Sequence, residues 1–578
     1  MISNVKLGHQ ITMWFRVKPT GNWVHSGLLL CALASVVILA EPALAQPGES
    51  KQTNVGRIRL VSKEVSFGTL SWLAQPEDAV ISPDFRHAAF IAPRGARQQA
   101  VIRDGVEEKA CDEVRFIRFS PDSQRLTYQS IRGGKTMVVM DGREGPPFDA
   151  LGHFIFSPDG RHTAYIGSRG KNPAAMFVVV DGKEGPAMDE LMDTPVFSLD
   201  SQHVAYGARR GTRKFVVLDG REGPYFDLVA PDPPLTFSPD SQRLAYVAGS
   251  PQQLVAIVDG KPGKEFETIE SAGVVFSSDS RRVCYACSRD GKWRVVEDGR
   301  EGPEFDAIGK TMFSPDGQRI IYVGQRGSKW MLVVDGKEGP EFDGILDTGP
   351  VFSPDSQHLA YAGGRGQKHF AVIDGQEGSE FDCVCTKPDA VIFSSDSQRS
   401  AYVAQRDGKK FVVLDGKEGP KFDDVAERHP IFSPNSRRIA YAAKWGAKWL
   451  VVLDGKEGPE FDGVGKETPV FSPDSRRVVY TAKRGGKWLI VVDGVEGQPF
   501  DDIVTGTLIF SPDSRHLAFV ASQSGKYLIV VDGKETLPYS LVRGLHFEAA
   551  DRIGAIGSRL DESFRKVLLR VEIQIVEE

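Results

Sequence analysis

Apolar residues in this chain recur in short runs with period two, not at helical spacing. One cycle shows the pattern. IFSP, Ile431 to Pro434, is a brief apolar run that enters the polar turn PNSR. IAYAAKWG follows, with Ile439, Tyr441 and Ala443 on one face and Ala440 and Ala442 on the other. A strand apolar on both faces belongs in a sheet covered on both sides. WLVVLDG, from Trp449, is a second strand of that kind. Asp454-Gly455 then gives a strong hairpin turn. KEGPEFDGV reads as a fourth, more polar strand, and Pro459 suits an edge position.

The cycle returns along the chain. The F-S-P-D serine stands at Ser82, Ser120, Ser157, Ser198, Ser238, Ser277, Ser314, Ser353, Ser394, Ser433, Ser472 and Ser511, 37 to 41 residues apart. An Asp-Gly pair follows each one, from Asp104 to Asp532. A thirteenth unit, HFEAADRIGAIGSR from His546, keeps the frame without its Ser-Pro. A period near 40 belongs to a propeller, a solenoid or an array. Sheets apolar on both faces are covered by stacking radially, so the pattern predicts an all-β propeller. It has about 13 blades, each of four antiparallel strands, A to D. Rings usually hold four to eight blades. Two rings, six plus seven or seven plus six, are therefore expected, at 79–308 and 309–578 with the boundary between 308 and 346, and an open or oversized single ring is the alternative for blades this alike. RIRLVSKEVSF, Arg57 to Phe67, has no unit of its own. The last unit offers strands at Leu545, Ile553 and Val567 and no obvious fourth. The N-terminal strand is expected to complete it.

The motif F-S-P-D-S/G-x-R-h-A-Y, with h apolar, resembles the WD40-like repeat known as PD40, which builds the C-terminal propeller of TolB. The resemblance covers residues 79 to 578 and implies a β-propeller. It implies little about activity, because propellers host unrelated functions. TolB-type proteins carry an α/β domain before the propeller. Only Gln46 to about Gln75 stands there in this chain, so that domain is expected to be absent. The D-G-K-E-G-P-x-F-D segment is not part of the general PD40 pattern.

Composition adds compartment and excludes one class of partner. The chain has 578 residues and a formal charge of −6, the wrong sign for a nucleic-acid binder. Lys6, Arg16 and Lys18 precede the apolar run Leu28–Ala40, and small residues stand at Ala43 and Ala45. Residues 1–45 read as a secretory signal peptide, and 46–78 as an N-terminal segment carrying the closing strand. The run is short for a spanning helix. No membrane span is expected after cleavage; an uncleaved anchor is the alternative. The location is then periplasmic or extracellular. Cys111, Cys284, Cys287, Cys383 and Cys385 remain after the leader, an odd set that makes no disulfide framework. Cys284 and Cys287 fall on opposite strand faces, which disfavours a shared metal. Cys383 and Cys385 can share a face, which leaves a local redox role beside the structural one.

Candidate chemistry divides between two rims. The S-P-D-S and D-G-K-E-G turns share one, and every part of them has a turn role. The B–C turns and D–A loops share the other. Its B–C turns read SRDGKW, QRGSKW, KWGAKW and KRGGKW. Lys292, Trp293, Lys329, Trp330, Lys448, Trp449, Lys487 and Trp488 would form a basic, aromatic rim for an acidic glycan or a protein loop. The competing reading packs each tryptophan between blades and leaves the lysines solvated. The Asp of each F-D pair, at Asp149, Asp189, Asp227, Asp306, Asp343, Asp382, Asp423, Asp462 and Asp501, would pair with arginine or cap a turn. No catalytic residue, metal or cofactor is expected: H-E-x-x-H, G-x-S-x-G, the P-loop and D-x-D-x-D-G are all missing. The sequence thus predicts a non-enzymatic, exported scaffold for a protein or cell-surface polymer. The rival is a glycan- or peptide-cleaving enzyme using the D–A loops VAPDPPL, CVCTKPDA and VAERHP. A mechanical spacer is a third reading.

Overall fold

Strand B and strand C are the backbone of every repeat. In the tenth, B (Ile439–Trp445) pairs with C (Lys448–Leu453) along its whole length, from Ala440↔Leu453 to Trp445↔Lys448. Asp454 at φ 52° and Gly455 at φ 76° turn the chain into strand D, as the mirror-image hairpin turn requires. D is only Lys456–Glu457. The chain then leaves the sheet. Phe461 bridges back to Trp449, and the next residue already belongs to the following blade, because Asp462 N–H donates to Lys483 O at 2.8 Å. The F-D pair is therefore a blade-to-blade crossing, although in blades 5 and 7 strand D runs on to the phenylalanine itself, Lys261–Phe266 and Lys337–Phe342. Strand A opens earlier than the apolar run suggests. In the eleventh blade it has two pieces, Gly463–Val464 and Val470–Phe471, both paired with the same B strand. In blades 2, 3 and 7 it is continuous, at Glu113–Phe119, Ala150–Phe156 and Ala307–Phe313.

The protein, described here by a computed structural model, has thirteen such sheets and no α-helix among the described residues. These are residues 58–70 and 78–578, apart from 96, 171–174, 193, 231–234, 272, 347–348, 386–390 and 427–429. The expected leader at 1–45 lies outside them. The last sheet has Leu541–Ala549, Arg552–Leu560 and Lys566–Glu577 as A, B and C. Its D strand is Ile58–Thr69, paired with Lys566–Glu577 from Ile58↔Glu577 to Thr69↔Val567. The N-terminal strand does complete the worn thirteenth unit.

The joints between blades run without a break. Val520 and Ile529 of blade 12 pack on Ile553 and Val571 of the closing blade. Ile556 and Leu568 of that blade pack on Phe90 and Ala92 of blade 1. Across the expected boundary, Cys284 and Val295 of blade 6 meet Tyr322 of blade 7. Ile321 and Leu332 of blade 7 meet Tyr361 and Phe370 of blade 8. Residues 57–578 form one compact unit. The division into two rings near 308–346 is thus corrected to a single ring. The physical reason is uniformity: every joint uses nearly the same residues, so none is weak enough to be the break. A larger ring needs only a smaller turn at each joint.

The F-D phenylalanine is the plug of the joint. Phe461 is 1% exposed and meets Tyr480 of blade 11 edge-on at 6.0 Å, beside Val451, Ala482 and Leu489. Phe305, Phe342, Phe381 and Phe422 meet Tyr322, Tyr361, Tyr402 and Tyr441 in the same way. Under Phe305 and Phe342 the facing residue is Gly324 or Gly363, where a Cβ would lie 2.6 Å or 2.5 Å from the ring. Rings on adjacent A strands also touch, Phe116 to His153 at 5.2 Å. This close approach places the A edges around the central opening and the charged Lys-Glu D edges on the outside.

Candidate functional site

The rim of B–C turns is built from one repeated ion-pair clamp. Lys448 Nζ, at the start of strand C in blade 10, donates to Asp462 Oδ1 at 2.6 Å. Asp462 Oδ2 accepts from Gly485 N–H in the B–C turn of blade 11 at 2.8 Å. The aspartate therefore holds two blades together. Lys292 bonds Asp306 at 2.5 Å, and Gly327 N–H caps the same carboxylate at 2.6 Å. Lys329 bonds Asp343, with Gly366 N–H, both at 2.7 Å. Lys487 pairs with Asp501, which Ser524 N–H caps. Lys135, Lys368 and Lys409 make the same pair with Asp149, Asp382 and Asp423. The lysine hydrogen bond, then the turn N–H, holds Asp306, Asp462 and Asp501 below the usual carboxylate range. For Asp343 the Gly366 N–H is the larger cause and Lys329 the second. Of the two roles expected for these aspartates, the turn cap is observed, and lysine takes the place expected of arginine. The four candidate lysines are neutralised locally.

The tryptophans divide between packing and exposure. Trp293, Trp330, Trp449 and Trp488 are half-buried. Each lies in register with the crossing phenylalanine, Phe305, Phe342, Phe461 or Phe500. Trp293 joins the apolar cluster between blades 6 and 7, and Trp488 that between blades 11 and 12. Lys444 and Lys483 stand over Trp449 and Trp488 at 5.9 and 5.6 Å. The structure thus places the eight candidates in two neighbouring pairs of joints, at blades 6–7 and 10–11. Trp488 also lines a cavity of about 450 Å³ with Lys466, Glu467, Thr481 and Asp502. Sequence reasoning missed Trp445, the first tryptophan of KWGAKW. It is 52% exposed, with Phe422 edge-on at 6.1 Å and Lys409 over its face at 5.3 Å. Its neighbours in the chain gave no cue, because exposure depends on which face of the turn it leaves.

The opposite rim is turn chemistry, as expected. Ser472 Oγ donates to Asp474 Oδ1 at 2.6 Å and accepts from Arg477 N–H at 2.9 Å. Asn435 N–H reaches across to Ser475 Oγ of the next blade at 2.9 Å. Arg438 pairs with Asp454 at 2.9 Å and donates to Arg476 O of blade 11 at 3.0 Å. In blades 1, 3, 4, 8 and 12 a histidine replaces that arginine, and its ring bonds the Asp of its own blade. Grooves of 640, 470 and 660 Å³ open on this side at joints 2–3, 3–4 and 4–5. Each is lined by the Glu-Gly-Pro of one blade and the strand-B tyrosine of the next.

Symmetry breaks at the inner edge of blades 2 and 3. Phe116 is 54% exposed with φ at 53°, a costly backbone state for a bulky residue. Arg118 stands over Phe154 at 5.9 Å. Cys383 and Cys385 are joined as a disulfide, while Cys111, Cys284 and Cys287 are unpaired and buried. Cys284 and Cys287 face opposite joints, as their spacing predicts, and burial pushes both thiols up to about 12. Of the D–A loops, residues 231–234, 386–390 and 427–429 lie outside the described residues. Among the described residues no cluster of three or more His, Cys, Asp or Glu is placed to hold a metal.

No family model matches the chain. No curated protein is similar to it in sequence. Solved structures are similar to parts of it. TolB from Acinetobacter baumannii is 12% identical, over 51% of this chain and 78% of its own, with a TM-score of 0.21. The β-propeller domain of the Trilobed protease from Pyrococcus furiosus, described as having an open velcro topology, is 14% identical over 60% and 94%, with a TM-score of 0.23. A eukaryotic initiation factor is 14% identical over 59% and 96%, with a TM-score of 0.28.

Proposed function

We propose that this chain is an exported, PD40-type propeller scaffold, periplasmic or extracellular, that binds a protein or an acidic cell-surface polymer and turns over neither. The observation that carries the reading is Trp445. The rim lysines and aspartates, Lys409 and Lys448 among them, are consumed in blade-to-blade clamps, yet this tryptophan stands exposed, next in the chain to Lys444 and with the paired Lys409 over its face. An exposed aromatic face with one neighbouring lysine, Lys444, suits stacking on a sugar or peptide face that carries negative charge. Trp449, Trp488 and the cavity beside Trp488 extend the same surface toward blade 12. Export rests on the leader at 1–45, and the absence of a span after cleavage on its short apolar run.

The test is binding of the full-length secreted protein to envelope extracts and to an array of neutral and acidic glycans. Saturable, salt-sensitive binding, weakened about tenfold or more by Trp445→Ala, supports the reading. Binding untouched by Trp445→Ala, Trp449→Ala and Trp488→Ala together removes this surface. A second reading, a polymer-cleaving enzyme at the D–A loops, draws on Glu270, whose carboxyl burial pushes above its usual range. Product release by the purified protein that is lost in Glu270→Gln replaces the scaffold with that enzyme.

A further inference from the structure

Cys383 opens the first piece of strand A of blade 9, Cys383–Val384, and Cys385 follows it directly; the two are joined as a disulfide. A disulfide ordinarily ties two separate elements together or closes a long loop. This one does neither. The bond closes a loop too short to remove much entropy from the unfolded chain. Nor does it shape the backbone. Asp382 N–H bonds Gln405 O at 2.9 Å, and Cys385 N–H bonds Val403 O at 2.8 Å. Blade 10 makes the same two bonds from Asp423 and Ala426 at 3.0 Å each, and blade 11 makes them from Asp462 and Gly465 at 2.8 and 2.9 Å. Neither of those blades has a cysteine there. The fold of the strand is therefore indifferent to the bond.

The two sulfurs are nevertheless held for each other. Residues i and i+2 of a strand share a face, so reduced side chains stay adjacent and the bond can re-form without backbone movement. Both residues are half-buried, unlike Cys111, Cys284 and Cys287, which are closed off in the core. Cys385 lies at the edge of the apolar joint with blade 10, 3.9 Å from Gln405 Oε1. The pair is open enough for a thiolate to reach.

We infer that Cys383 and Cys385 form a reversible dithiol–disulfide couple that exchanges with a protein dithiol. A thiolate of the partner attacks one sulfur, forms a mixed disulfide and expels the other cysteine as a thiolate. The partner's second thiolate then attacks the mixed disulfide. The partner departs oxidised, and this chain keeps two thiols after taking up two protons. Two electrons have passed from partner to chain; the reverse sequence re-oxidises it.

The full-length protein is equilibrated in graded glutathione buffers and with a purified Cys-x-x-Cys oxidoreductase, alkylated and mapped by mass spectrometry. Expected is a two-thiol transition confined to Cys383 and Cys385 under native conditions, with near-ultraviolet circular dichroism unchanged. A reduced Cys-x-x-Ser variant of the oxidoreductase, which lacks the resolving thiol, traps a mixed disulfide with the parent chain, and no such adduct forms with the chain changed to serine at both Cys383 and Cys385. The double variant melts within about 2 °C of the parent. The inference fails if the pair resists reduction until the ring unfolds, or if reduction lowers the melting temperature by more than about 5 °C. It fails equally if air-oxidised protein carries both residues as alkylatable thiols.

Discussion

Phe461→Ala tests the joint. The ring is 1% exposed and is wedged between blades 10 and 11, edge-on to Tyr480 with Arg484 over its face at 4.8 Å. Its backbone N–H and C=O both bond Trp449 and survive the substitution. What is lost is the buried ring and the contacts of Val451, Ala482, Leu489 and Val491 with it. Truncating a buried phenylalanine costs about 3–5 kcal/mol, and the lost aromatic pair is about 1 kcal/mol of that. A ring whose blades contact only their neighbours should feel this cost locally. Native-state hydrogen exchange read blade by blade is the assay. Amides of Val478–Arg484 and Lys448–Leu453 should lose protection by roughly 150- to 5,000-fold, while blades 3 to 5 keep theirs. A loss under about tenfold at this joint, or an equal loss around the whole ring, would refute the plug.

Four further outcomes follow from the same geometry. Asp306, Asp343, Asp462 and Asp501 ionise more readily in the folded ring than in the unfolded chain. Their contribution is therefore complete above the unfolded value near 4 and is lost as pH falls through the lower folded values, so the melting temperature should hold from pH 7 to about 5 and drop below about 4. Changing all four to Asn should flatten that drop, and an unchanged slope counts against the clamps. Burial pushes Tyr165, Tyr246, Tyr322, Tyr361, Tyr402 and Tyr480 up to about 12. The unfolded chain then loses protons first, stability declines above about pH 10, and phenolate absorbance should rise together with loss of sheet dichroism; early ionisation with the sheet intact contradicts this. Deleting residues 58–69 leaves Lys566–Glu577 as an open edge, which should pair between molecules and shift size-exclusion elution to dimers or larger species; a stable monomer argues otherwise. Small-angle scattering of the intact chain should give one annular envelope, and two lobes would restore the two-ring arrangement.

The candidate site was legible in part, and the boundary has a physical basis. Placement on a rim follows from strand order, so the Lys-Trp turns and the F-D aspartates fell on the same side as read. Pairing does not follow from it. Lys448 and Asp462 stand 14 residues apart and meet only because the chain crosses to the next blade at Phe461. Trp445 and Trp449 have the same residue type four positions apart, yet one is exposed and the other half-buried. The Cys383–Cys385 bond was allowed by face-sharing, but nothing in the spacing required it.

Local chemistry was sufficient for the repeat itself. Period-two runs apolar on both faces, a Ser-Pro-Asp turn and an Asp-Gly turn each act within a few residues, so the sequence alone determined thirteen four-stranded blades, their strand order and the N-terminal strand that closes the last. Ring number was beyond its reach. Each joint turns by an angle set by how Phe, Tyr and Gly or Ala pack between sheets, and small differences in that angle, summed around the circle, separate two rings from one. The tertiary structure alone decided the single ring of thirteen, the clamp that neutralises its rim, and the few aromatic and sulfur groups left over for function.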